Sequence, residues 1–268
     1  MENKFLFPFG EPLKKVEQID RSSKEVFVLG VYASAVHAKW INKSGKTEIR
    51  ALAVASEPEI FWTGDNALEI INKIKIPSEM GKLIDPGGIY NGPSGRALDK
   101  FFLNPLNLSR KDTWLCDIIP YSRMNKNQQK AIDNRFAKLA QIYQIPEASI
   151  PPFRKEELNS LKRRNEILNE LEASSAHTIV LLGDEPVRHF LSHYTYEKYK
   201  RLSDFGDTSE NYGQAIKLEI NSKEYNVIPL CHPRQAGRLG RSSHKWNELH
   251  SKWMQNKAGN LANELFSG

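Results

Sequence analysis

Apolar positions along the chain come in two spacings. Four short continuous runs, EVFVLGVY (25–32), TWLCDII (113–119), TIVLLG (178–183) and YNVIPLC (225–231), have the length and composition of strands buried on both faces. RALAVASEP (50–58) reads as a further strand, and IKLEINSKEYNVIPL as a hairpin that turns at Asn221-Ser222 and feeds the last run. Helical spacing fills the gaps. Ser94 reads as the cap of a helix carrying Leu98, Phe101 and Phe102. Ile132, Phe136, Leu139 and Tyr143 share one helical face, as do Leu158, Leu161, Leu168 and Leu171 after Pro151-Pro152. These stripes are core packing. The stretch of about 145–175 reads as a charged helical insertion or crossover. Strands alternating with helices predict an α/β fold, three layers α/β/α around a mostly parallel central sheet. No repeat or low-complexity linker interrupts 1–268, which therefore reads as a single domain.

Composition narrows the setting. With 268 residues the chain can bury a sizeable core. No apolar run approaches a membrane span, and MENKFLFPFGEPLKK has no signal-peptide pattern, so a cytoplasmic protein free of membrane is expected. Cys116 and Cys231 each sit inside an apolar run and read as reduced, packed thiols. Two cysteines cannot hold a four-thiolate cluster or a Cys-rich zinc site. The formal net charge of +6 matters only if the arginines gather beside a cleft, where they would attract phosphate.

Parallel sheets bind ligands beyond the carboxyl ends of their strands, so the chemistry is sought in the turn after each run. VYASAVHAKW, DIIPYSRMN, DEPVRHF and CHPRQAGRLG would crowd one rim with Tyr32, His37, Asp117, Arg123, Asp184, His232 and three arginines. Familiar alternatives lack their parts. No G-x-G-x-x-G follows a strand, and there is no P-loop and no G-x-S-x-G elbow. No spacing of His37, His232 and His244 supports a metal site, and Asp184 before a helix reads as an N-cap.

The basic loop differs from an ordinary solvated turn. Arg234, Arg238 and Arg241 are interleaved with Gln235, Gly237, Leu239 and Gly240. Glycines let backbone approach a ligand closely. Ser242-Ser243 then starts a helix that buries Trp246, Leu249 and Trp253. Leu239, apolar between arginines, suits a wedge entering a base stack.

These turns, in this order, resemble the uracil-DNA glycosylase superfamily, from about Glu25 to Trp253. LGVYASAVH is similar to the family's first motif. GGIYNGPSGRALDKFFL resembles its aromatic residue, DNA-backbone loop and helix. LCDIIPYSRMN looks like the strand end that reads the base, and CHPRQAGRLG like the His-Pro motif with its minor-groove loop. The resemblance implies a monomer that flips a nucleotide out of DNA and hydrolyses the bond from base to sugar, without a metal or organic cofactor. It makes His232 the donor to the departing base, an oxyanion-hole role. Gly30, Val31 and Tyr32 line the pocket, and Tyr90 stacks on the base. Ser94 and Gly95 contact phosphate, while Arg234, Gln235, Arg238 and Arg241 grip DNA around Leu239.

Two departures from the family pattern bear on the chemistry. Gly30-Val31-Tyr32-Ala33-Ser34 holds no acid or amide to position water. Asp65 in FWTGDN is the candidate supplied from elsewhere, with Glu57 and His37 as rivals. Asp117 stands where the family usually has Asn. An ionised carboxylate only accepts hydrogen bonds, so it favours a base presenting an amino group unless Asp117 is protonated. Two other functions stay open: a non-catalytic DNA or modified-base binder on the same fold, and a nucleoside hydrolase. Steep salt dependence marks the readings that grip a phosphate backbone.

Overall fold

The computed structural model describes residues 5–239 and 243–266. In chain order its strands are β1 (Val26–Tyr32), β2 (Ala35–Ile41), β3 (Thr47–Ser56), β4 (Lys82–Ile84), β5 (Thr113–Ile119), β6 (Thr178–Leu182), β7 (Ile216–Ile220) and β8 (Lys223–Leu230). Its α-helices are α1 (Ala67–Lys73), α2 (Pro93–Leu98), α3 (Lys126–Ala131), α4 (Ala137–Ile142), α5 (Leu161–Ser174), α6 (Asp184–His189), α7 (Pro233–Ala236), α8 (His244–Asn256) and α9 (Ala258–Phe266). The chain divides into two units. The first is Met1–Val16, Tyr32–Pro93 and Pro120–Arg154; the second is Glu17–Val31, Ser94–Ile119 and Lys155–Gly268. Among the described residues no helix is long and apolar enough to cross a membrane.

The second unit holds the mostly parallel five-stranded sheet that the apolar runs predict, in the order β5-β1-β6-β8-β7. β1 pairs with β6, and β6 with β8, in parallel. Continuous apolar sequence follows from this placement: β5 and β6 are buried at every position, and water reaches neither face. β7 lies at the edge, antiparallel to β8, and alternates exposed with sheltered positions. Asn221 and Ser222 join these two strands with φ of 51° and 63°. Two successive left-handed residues match the twist of a two-residue hairpin, so the turn falls where its sequence places it.

Helices differ in detail from the expectations. α2 opens on Pro93, a residue preorganised for the first helical position, so Ser94 lies inside the first turn and does not cap it. The helix continues through a π-turn at Asp99–Leu103 that buries Phe102. Within 145–175, the α-helix is confined to Leu161–Ser174, and Leu158 belongs to a preceding 3-10 turn. Of the predicted stripe, Leu158 and Leu171 are buried, Leu168 is half-buried and Leu161 is 64% exposed. The buried face of α5 is Arg163, Ile167, Glu170, Leu171 and Ser174. Arg163 pairs with Glu170 at 2.8 Å and donates to the backbone oxygens of Asp117 and Ile118. Trp114 Nε1 closes the cluster on Glu170 at 3.2 Å. An ion pair is tolerated here because its remaining donors find carbonyls; removing one partner alone would cost about 3–5 kcal/mol.

The first unit carries an antiparallel sheet of order β3-β2-β4. β2 has no counterpart among the predicted strands, because VYASAVHAKW reads as the turn that follows the first run. Its Trp40 is buried and donates from Nε1 to Met80 O at 2.6 Å. Phe9 packs edge-on to Trp40 and Phe136, at 5.7 and 5.2 Å between ring centres. Phe136 belongs to the α3–α4 segment; of the predicted stripe Ile132 and Phe136 are buried, Leu139 is half-buried and Tyr143 is exposed, and Ala140 is buried in its place.

Candidate functional site

The carboxyl ends of β1, β6 and β8 meet in a pocket of about 340 Å³ in the second unit. Val31, Gly183, Asp184, His232, Gln235 and Trp246 are among its walls. This size falls within the range of small-ligand sites, about 300–1,000 Å³.

His232 is placed by the sequence around it. β8 ends at Leu230, and Pro233 fixes the first helical position of α7. A residue before proline is held extended, and His232 adopts φ −64°, ψ 145° as the N-cap. Its ring Nδ1 accepts the backbone N–H of Arg234 at 3.1 Å. Gln235 Oε1 accepts the backbone N–H of His232 at 3.1 Å in return. The first contact settles the tautomer: a nitrogen that accepts carries no proton, so Nε2 bears it. Burial, with Arg234 nearby, pushes the ring pKa down to about 4, so the imidazole is neutral at pH 7.

Gly183 is the other fixed point. Its N–H bonds Leu230 O at 2.8 Å, and its φ of 91° is open to glycine. A Cβ there would lie 3.3 Å from the Cβ of His232. Gly183, not Asp184, occupies the N-cap of α6. Asp184 Oδ1 instead accepts the N–H of Leu202 at 2.8 Å.

Arg234 and Arg238 are exposed, and Gln235 and Leu239 are half-buried. Arg238 has φ 51°, and the N–H of Leu239 returns to Arg234 O at 2.7 Å. A Cβ on Gly237 would lie 3.5 Å from Ala97 Cβ, so the loop packs on α2, the helix of Ser94 and Gly95. Gly95 is buried, and Ser94 is half-buried. Arg241 lies outside the described residues. Ser243 stands at the N-cap position of α8 without a side-chain capping bond; Leu249 and Trp253 of this helix are buried, while Trp246 is half-buried and faces the pocket.

Gly30 is buried in β1, and Val31 reaches the pocket. Asp117 is buried within β5 rather than in a turn and does not line this pocket. Burial raises its carboxyl to about 7, despite the opposing charge of Arg163. Cys116 and Cys231 are buried free thiols; burial pushes Cys231 up to about 12 and raises Cys116 as well, so both are inert.

Tyr32, His37, Asp65, Tyr90 and Arg123 belong to the first unit. Tyr32 packs on Phe153, with 5.3 Å between ring centres. His37 lies in β2, not in a turn; its Nε2 meets Gln128 Nε2 at 2.7 Å, and burial lowers its pKa to about 4. Asp65 is exposed and accepts the Thr63 hydroxyl at 2.7 Å. Tyr90 is half-buried in a turn. Glu57 is buried and accepts the N–H of Ser34 at 2.8 Å, which puts a carboxylate against the turn between β1 and β2. Among the described residues no group of three or more His, Cys, Asp or Glu side chains is arranged to hold a metal. Neither a protein-family model nor a curated protein sequence matches the chain.

Proposed function

We propose that this protein is a monomeric DNA glycosylase of the uracil-DNA glycosylase type, which flips a damaged or modified base and hydrolyses its N-glycosidic bond. The observation that carries the reading is the ring of His232: a neutral imidazole, its Nδ1 occupied by Arg234 N–H, on the wall of a pocket at the strand ends.

The chemistry needs such a group. As the bond from sugar C1′ to the base nitrogen breaks, its electron pair leaves with the base and the sugar becomes oxocarbenium-like. The His232 Nε2–H donates to a base oxygen as negative charge builds there. Water adds to C1′ and loses a proton, leaving an abasic site. The reading assigns that water to Asp65, with Glu57 as the rival. Asp117, with a carboxyl near 7, has a protonated fraction at neutral pH that both donates and accepts, as the amide at this position does in the family. Arg234, Arg238 and Arg241 grip the DNA, with Leu239 as the wedge.

A second reading, a binding protein that does not cut, draws on Asp65, which is exposed and bonded within its own turn. The test uses end-labelled oligonucleotides carrying uracil, hypoxanthine, xanthine or modified cytosines, single- and double-stranded, treated with alkali to reveal abasic sites. Base release from one of them supports the glycosylase. Salt-sensitive binding without release supports the binder. Asp65→Asn and Glu57→Gln then separate the two carboxylates.

A further inference from the structure

Behind His232, in the core of the second unit, runs a chain of hydrogen bonds that the catalytic reading leaves unused. Tyr212 and His250 are 1% and 0% exposed, and Cys231 is fully buried. His250 Nε2 lies 2.8 Å from Phe101 O. A carbonyl only accepts, so Nε2 carries the ring proton. Burial pushes this imidazole down to about 4, so it is neutral and Nδ1 has a lone pair. Tyr212 Oη stands 2.8 Å from that Nδ1 and must donate to it. The same oxygen accepts the backbone N–H of Cys231 at 2.8 Å. Every proton in the series is therefore ordered from one end.

The series also has two mechanical ends. Cys231 comes directly after the last residue of β8, and its N–H is the final backbone donor before His232. Phe101 lies in the π-turn that continues α2, the helix of Ser94 and Gly95. A second bond fastens the middle: Trp253 Nε1 donates to Gly213 O at 3.0 Å. Gly213 has φ 68°, and a Cβ there would fall 2.5 Å from the Trp253 ring, so the loop lies flat on α8.

We propose that Tyr212 and His250 are positioning residues for His232, a buried relay that sets the backbone at Cys231 and ties the histidine to the helix following the Ser94-Gly95 turn. The proposal rests on His232 being the donor to the departing base. Loss of the relay frees the Cys231 N–H, and the chain relaxes at the residue whose neighbour must meet the base within a fraction of an ångström.

The test uses full-length protein labelled with [15N]histidine, in which long-range 1H–15N spectra report ring tautomers. Tyr212→Phe deletes one hydroxyl. His250→Gln restores both contacts, through an amide oxygen and an amide N–H, whereas His250→Leu restores neither. The expected result for Tyr212→Phe and His250→Leu is displaced His232 ring resonances. On the oligonucleotide that wild type cuts, kcat falls about tenfold or more at unchanged KM. His250→Gln recovers both. The proposal is overturned if the Tyr212→Phe protein melts cooperatively at a lower temperature with His232 resonances and kcat unmoved. Should wild type release no base, the glycosylase reading falls, and the His232 resonances alone decide the positioning role.

Discussion

The backbone N–H of Arg234 meets Nδ1 of the His232 ring at 3.1 Å, and this contact decides which ring nitrogen is left to donate. The cap and the proposed chemistry share one side chain. Protonating the ring would put a hydrogen on both nitrogens and break the cap, which, together with burial, keeps the imidazole neutral.

The pH dependence has a definite sign. His37, His232 and His250 have folded pKa values of about 4, below the ordinary 6.5. The unfolded chain therefore binds more protons between these values. The stability that the three rings contribute is present above 6.5 and lost as pH falls toward 4. Asp117 acts oppositely: its carboxyl is raised from 3.8 to about 7, so its contribution is lost as pH rises through that window. Burial also lowers His189 and His193, so five rings stand against one carboxyl and the melting temperature should fall on acidification from pH 6.5 to 4. Melting curves across that range check this, and a melting temperature that is flat or rises on acidification contradicts it.

Asp117→Asn removes the opposing group. The variant should gain stability relative to wild type at pH 8 and lose that advantage near pH 5. If Asp117 reads the base, the substitution also moves preference toward uracil and abolishes a pH-dependent preference centred near 7. Competing oligonucleotides assayed at pH 6 and 8 measure this. A base preference identical to wild type at both values removes Asp117 from recognition.

Gly183→Ala tests the close approach behind the histidine. The backbone conformation there, φ 91° and ψ −171°, strains any side chain, and the new Cβ would stand 3.3 Å from that of His232. A stability loss of about 2 kcal/mol is expected. Base release should fall further than unfolding explains, as seen by comparing activity and denaturation at one temperature. Full activity per folded molecule would show that His232 tolerates the push.

Much of the second unit's sheet was legible, and the reason is physical. Strands covered on both faces must be apolar throughout, so β5, β6 and β8 stand out as runs, and Asn221-Ser222 supplies the turn between β7 and β8. A rule built on apolar stripes cannot see Arg163 and Glu170 as the buried face of α5, since their burial is possible only through each other and the carbonyls of β5. β2 was missed for a different cause: it follows β1 so closely that it reads as that strand's closing turn, although Val36, Ala38 and Trp40 alternate with His37 and Lys39. His232 was legible from His-Pro after a strand. Tyr212 was not, because nothing local marks a tyrosine whose partners lie 19 and 38 residues away. His250 had a faint signal, sitting on the apolar face of α8 four residues after Trp246.

The arginine loop makes a prediction about binding that is separate from catalysis. Arg234 and Arg238 are exposed, and Arg238→Ala should leave the melting temperature unchanged. Arg234→Ala and Arg238→Ala should each weaken binding to an undamaged duplex and lower the slope of log affinity against log salt by about one. Titrations at several salt concentrations measure both quantities. An unchanged slope would place these side chains off the DNA.

The central claim is that His232 donates a hydrogen bond to the departing base. Single-turnover release on the best oligonucleotide, compared between wild type and His232→Ala with binding measured alongside, tests it most directly. Loss of one such donor should slow release by about 10²–10³-fold with DNA affinity retained. Release at the wild-type rate from a folded His232→Ala protein would contradict the account.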